Sequence, residues 1–98
     1  MERDLQTILG KRIESILQHA GCMKYNVLLF PETIIVRAED ARRVLMAAGD
    51  AIEAMFKEAG ITGAQVSVQP NMGTIRVGFA SVRSLDRCIR RAIDRGKL

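Results

Sequence analysis

Few residues in this chain have types and spacing that could do chemistry. His19 and Cys22 stand three positions apart near the end of one amphipathic stretch. Such a pair could begin a metal site or couple a nucleophile to a base. A zinc site needs further ligands, and none lie nearby in sequence. A nucleophilic thiol also needs a group to orient the histidine and donors for an oxyanion. A single histidine at the C-terminal end of a helix more often meets the free carbonyls there. Gly60-Ile61-Thr62-Gly63 has the glycines of a phosphate loop, but a strand follows it, whereas a phosphate cradle precedes a helix. That stretch reads as a helix stop and a turn. No acidic pair is placed for glycosidic or metal work. The expectation is a non-enzymatic chain with no metal, no cofactor and no small-molecule substrate.

The arginines carry the stronger signal. The chain has 98 residues with Lys plus Arg 15 against Asp plus Glu 11, a net charge of +4. Such a balance suits an acidic partner without demanding one. The C-terminal stretch VRSLDRCIRRAIDRG puts Arg83, Arg87, Arg90 and Arg91 opposite an apolar stripe of Val82, Leu85, Ile89 and Ile93. Guanidinium groups grip phosphates or carboxylates through two parallel bonds. Arg42 and Arg43 open the second helical stretch, and Lys11 and Arg12 lie on the first. The competing reading is a solvated face, because Asp86 and Asp94 can pair with Arg90 or Arg91 at helical spacing. Aromatics are Tyr25, Phe30, Phe56 and Phe79 alone, too few for a base-stacking platform. No helix-turn-helix or zinc-finger pattern is present.

These residues must be positioned by elements that the periodicity predicts. Three segments are amphipathic at three- and four-residue spacing. The first carries Leu5, Ile8, Leu9, Ile13, Ile16 and Leu17 and stops at Gly21. The second runs from Asp40, read as its N-cap, to Gly60 with Val44, Ala48, Ala51, Ile52, Met55 and Phe56 inward. The third runs from Ser81 to Gly96. Two hairpins fill the gaps, turning at Pro31-Glu32 and at Pro70-Asn71-Met72-Gly73.

The halves match when shifted. An offset of 39 superimposes Ile13 on Ile52, Gly21 on Gly60, Val27 on Val66 and Pro31 on Pro70; beyond the longer second turn the offset becomes 41 and Thr33 meets Thr74. The fold class is therefore α+β: a single domain over 1–98, with αββ units at about 4–37 and 40–79 and a helix at about 81–96. Paired units give one four-stranded antiparallel or mixed sheet with helices on a face, a permuted ferredoxin-like sandwich. The second strands of the two hairpins are expected side by side at the centre and parallel, and the link from residues 33–37 through the second helix is expected to be a right-handed excursion.

The register exposes an asymmetry. Side chains alternate across a strand. Val66, Val68, Ile75 and Val77 face the helices, and Gln65, Ser67, Gln69, Thr74 and Arg76 face water. Transferred to the first half, that register puts Leu28, Phe30 and Ile35 on the wet side. A clustered apolar trio of this kind is usually covered. The cover expected first is the third helix folding back within the chain; a second copy or a foreign partner are the others.

Two functional classes result. One is a small basic binding protein that contacts nucleic acid or an acidic protein or nucleoprotein surface, as an inhibitor or accessory factor. The other is a homodimeric structural or regulatory module that uses the apolar sheet patch and the third helix. A small inhibitor of a larger host machine, such as phages encode, fits either. No apolar run reaches the roughly 20 residues of a membrane span, and the charged N-terminus lacks the pattern of a secretory signal. Cys22 and Cys88 make no disulfide framework, so an intracellular, cytoplasmic setting without membrane contact is expected.

Overall fold

The computed structural model of the chain describes residues 3–80 and 82–98, with the side chains of all of these except 82–84. The order is α1 (Arg3–His19), β1 (Tyr25–Leu29), β2 (Thr33–Ala38), α2 (Arg42–Glu58), β3 (Ala64–Gln69), a 3-10 turn (Pro70–Met72), β4 (Thr74–Phe79) and α3 (Val82–Asp94). The fold is α+β, with three helices and a four-stranded antiparallel sheet in the order β1-β2-β4-β3.

The two αββ units agree closely. Both long helices have 17 residues. Each ends on a glycine with positive φ, 95° at Gly21 and 72° at Gly60. There the chain reverses through the same pair of bonds. Gly21 and Cys22 donate to Gln18 and Leu17 at 3.1 and 2.9 Å, and Gly60 and Ile61 donate to Lys57 and Phe56 at the same distances. This is the closure that satisfies the last carbonyls of a helix, and its apolar residue just beyond the glycine, Cys22 or Ile61, is buried. Asp40 does not cap α2. The residue before the helix is Ala41, with no side-chain cap, and the Asp40 carboxylate instead accepts the Met23 N–H at 3.0 Å. Asp40 thus ties the end of the β2 strand to the loop after α1.

β2 and β4 are neighbours, as the repeat implies, but they run antiparallel rather than parallel; the parallel pair is β2 and β3, which the link through α2 joins across the intervening β4. Thr33 faces Gly78, Ile35 faces Arg76 and Arg37 faces Thr74. The reason is geometric. A twofold axis normal to a sheet that relates two adjacent strands must reverse their direction. This register is invariant to the offset of 41, with the axis passing through the Ile35–Arg76 pair. The bonds flanking it obey the same axis, since Ala38 donates to Gly73 at 2.8 Å and Phe79 to Glu32 at 3.3 Å.

One core lies between the sheet and the helices. α1 contributes Leu5, Leu9, Ile13 and Leu17, a single stripe at four-residue spacing, and α2 contributes Leu45, Ala48, Ile52, Met55 and Phe56. The sheet contributes Ile34, Val36, Ile75 and Val77. Covering each large side chain favours the fold by roughly 1.5–3 kcal/mol. Ala51 is exposed, in the groove between α1 and α2. α3 contacts α1, and its Leu85, Ile89 and Ala92 are buried in the same core. It does not fold over the opposite face of the sheet. A helix that can join an existing apolar core buries more of its stripe there than it would against the trio on the sheet. No helix among the described residues is long and apolar enough to cross a membrane.

Candidate functional site

The open face of the sheet is a grid of three rows set by the register. Asn26, Arg37, Thr74 and Gln69 form the first; Leu28, Ile35, Arg76 and Ser67 the second; Phe30, Thr33, Gly78 and Gln65 the third. The sequence-derived trio is brought together here, because Leu28 pairs with Ile35 and Phe30 lies two residues along β1. It is not covered within the chain. Leu28 is 36% exposed and Phe30 46%, and Ile35 is half-buried. Phe30 is held from below, since its carbonyl accepts the Gln6 side-chain amide at 3.0 Å and the Thr33 N–H at 3.4 Å.

Two exposed guanidinium groups, Arg37 and Arg76, share this face, and none of its twelve residues is acidic. Sequence reasoning placed Arg76 in water but did not count it or Arg37 as part of a site. Strand alternation together with the β2–β4 pairing would have found both. At the two ends of the grid, Glu39 borders Arg37 and Glu32 borders Arg76.

The basic helix is a second, separate surface. Around α3 the buried residues are Leu85, Ile89 and Ala92, while Arg87, Arg90 and Arg91 are exposed, as are Arg95 and Lys97 beyond it. The side chain of Arg83 lies outside the described residues. Arg42 and Arg43 are exposed on the first turn of α2, a different element. Between residues 85 and 98 these five cations face two acids, the half-buried Asp86 and the exposed Asp94.

The thiol–imidazole pair is set for neither partner. The imidazole Nδ1 of His19 lies 2.8 Å from the carbonyl of Ser15, one turn back in its own helix. Cys22 is buried, and that burial, followed by the charge of Asp40, pushes its thiol above the ordinary value. An activated cysteine needs the opposite shift. Among the described residues no group of three or more His, Cys, Asp or Glu could hold a metal ion.

No family model matches the chain, and no curated protein or solved structure matches it.

Proposed function

We propose that this chain is a small basic binding protein, without chemistry of its own, that holds a nucleic acid against the outer face of α3, as an accessory factor or inhibitor of a nucleoprotein assembly. The observation that carries the reading is the division of α3. Leu85, Ile89 and Ala92 are spent on the core, and Arg87, Arg90 and Arg91 stand outward on the other side. Arg87 and Arg91 lie outside the core, and an anionic partner accounts for their outward placement. Arg87 and Arg91 are one helical turn apart, about 6 Å along the axis.

The finer architecture belongs to this reading as well. We take the two αββ units as an internal duplication arranged as a permuted ferredoxin-like sandwich. Equivalent C-terminal helix caps and a strand register invariant to the offset support it. In this arrangement α3 is the one element outside the repeat, and it is the element that carries the extra charge.

The test is solution mass and fluorescence anisotropy with a short labelled duplex and a labelled single strand across a salt series. Binding should weaken steeply with salt. Arg87→Glu with Arg91→Glu should reduce affinity and lower the salt slope by about 2, since each neutralised phosphate contributes about 0.9. Binding only to a polyglutamate probe would move the reading to an acidic protein surface. Failure to bind any of the three, or unchanged binding by the double variant, would overturn it.

A further inference from the structure

The β1 edge of the sheet has a property beyond any anion-binding role. In an antiparallel ladder, residues alternate between those bonded to the neighbouring strand and those directed away from it. Phe30 exchanges main-chain bonds with Thr33 at 2.9 and 3.4 Å, and Glu39 donates to Lys24 at 3.1 Å. The alternation between these points makes Asn26 and Leu28 the residues bonded to β2. Tyr25, Val27 and Leu29 therefore direct their N–H and C=O groups off the edge.

This edge is unguarded. Exposed strand edges normally carry charges, prolines or a covering element that deters pairing. β1 reads YNVLL, with no charge and no proline, and Leu28, Leu29 and Phe30 form a continuous exposed apolar run at its end. Its counterpart β3 carries Ser67 and Gln69 where β1 leads to Leu28 and Phe30, and its Val68 is half-buried where Leu29 is 39% exposed.

We propose that β1 is a self-association edge that pairs antiparallel with β1 of a second copy, about a twofold axis at Val27, to give a continuous eight-stranded sheet. The register is palindromic in the required way. Val27 meets Val27 of the other copy, and Tyr25 meets Leu29 in both directions. All three outward-directed residues are used, forming about six main-chain bonds. Leu29 is covered by the other copy's Tyr25, and the two Leu28–Ile35–Phe30 patches become neighbours on one face.

Charge selects this edge over the other. The groove along β1 is lined by Thr7, Gly10, Lys11, Glu14, Val27 and Leu29. A twofold axis at Val27 gathers Lys11 and Glu14 from both copies, a neutral set of two cations and two anions. The same positions on α2, offset by 39, are Asp50 and Glu53. Pairing β3 with β3 would gather four carboxylates, of which, among the described residues, only the two of Glu53 have a cation beside them, Lys57 at 3.6 Å. An interface formed by one patch on both chains also closes at two copies, as isologous contacts do.

The experiment is sedimentation equilibrium of the full chain, without nucleic acid, so its outcome is independent of the α3 reading. The wild type should sediment at twice the chain mass. Val27→Pro removes an outward N–H while leaving the β1–β2 bonds intact, a position at which an edge strand tolerates proline. It should give a monomer with an unchanged circular dichroism spectrum. Lys11→Glu should raise the dimer dissociation constant about tenfold through like-charge contact, and Lys11→Glu with Glu14→Lys should restore it. If Val27→Pro does not fold, the charge pair decides. A wild-type monomer at every concentration, a Val27→Pro variant that still dimerises, a dimer indifferent to Lys11→Glu, or a ladder of growing masses would overturn the proposal.

Discussion

Ile35 and Arg76 face each other across the two central strands, and each occupies in its own half the place the other occupies in the opposite half. One apolar and one cationic residue at the same symmetry position divide the open face of the sheet. On the Ile35 side it is apolar through Leu28 and Phe30; on the Arg76 side it is polar through Ser67 and Gln69.

Extending the apolar half should change association more than stability. Arg76→Ile places a branched apolar side chain on an exposed strand position next to Ile35. Its unfolding free energy should stay within about 0.5 kcal/mol of wild type. Light scattering should detect increased self-association, because the exposed apolar area becomes continuous. A strongly destabilised variant would mean that Arg76 makes a contact the fold depends on.

Phe30→Asp should cost less than about 1 kcal/mol in chemical denaturation, since nearly half of Phe30 is already in water. Gln69→Asp, at the equivalent place in the second half, should behave alike. A loss of several kcal/mol at Phe30 alone would reveal a cover over that side chain.

The helix glycines at equivalent positions should respond differently to alanine. At Gly49 an added Cβ would run into the Cγ2 of Val68, whereas at Gly10 it would meet the flexible end of Leu29 at 3.2 Å. Alanine in a helix interior gains about 1 kcal/mol over glycine. Gly10→Ala should therefore be neutral or stabilising. Gly49→Ala should be destabilised by about 1–3 kcal/mol through overpacking. Thermal melts of the two variants check the ordering.

Gly73 closes the second hairpin with φ 64°, and a Cβ there would stand 2.6 Å from the main-chain oxygen of Ala38. Gly21 also has positive φ, but nothing lies within 4 Å of its added Cβ. Gly73→Ala should thus exceed the roughly 1–2 kcal/mol that left-handed backbone alone costs at Gly21→Ala, because main chain cannot move aside as a side chain can. Equal losses at both sites would refute the crowding argument.

The two thiols should label at different rates. Cys22 is buried and Cys88 half-buried, and burial keeps the Cys22 thiol protonated. An alkylating reagent at neutral pH should modify Cys88 first, as mass spectrometry of partly labelled protein can read. Stability follows the same sign. The unfolded Cys22 ionises at about 8.5 and the folded one above that. The native state therefore binds more protons in the window between the two values. The contribution of Cys22 is full below the unfolded value and falls as pH rises through the folded one. The stability advantage of wild type over Cys22→Ala should narrow above that pH.

Much of the architecture could be read from local order. Apolar residues at helical spacing mark α1, α2 and α3, glycines mark where they end, and alternation marks both hairpins, because these signals arise from the chain's own periodicity. The matched Gly, Pro and Thr-Ile positions also brought β2 and β4 together. Strand direction was decided in three dimensions, since neighbouring strands related by a twofold must be antiparallel whatever their sequences. The destination of α3 was decided there too. Its stripe is equally suited to the open sheet face or to the flank of α1, and the larger shared core beside α1 wins. Arg37 and Arg76 became one surface only through strand pairing, and the bonding parity of Tyr25, Val27 and Leu29 exists only once β1 has a partner on one side and none on the other. Sequence determines which residues each element can bury; the packing of elements against one another determines which edges and faces remain open.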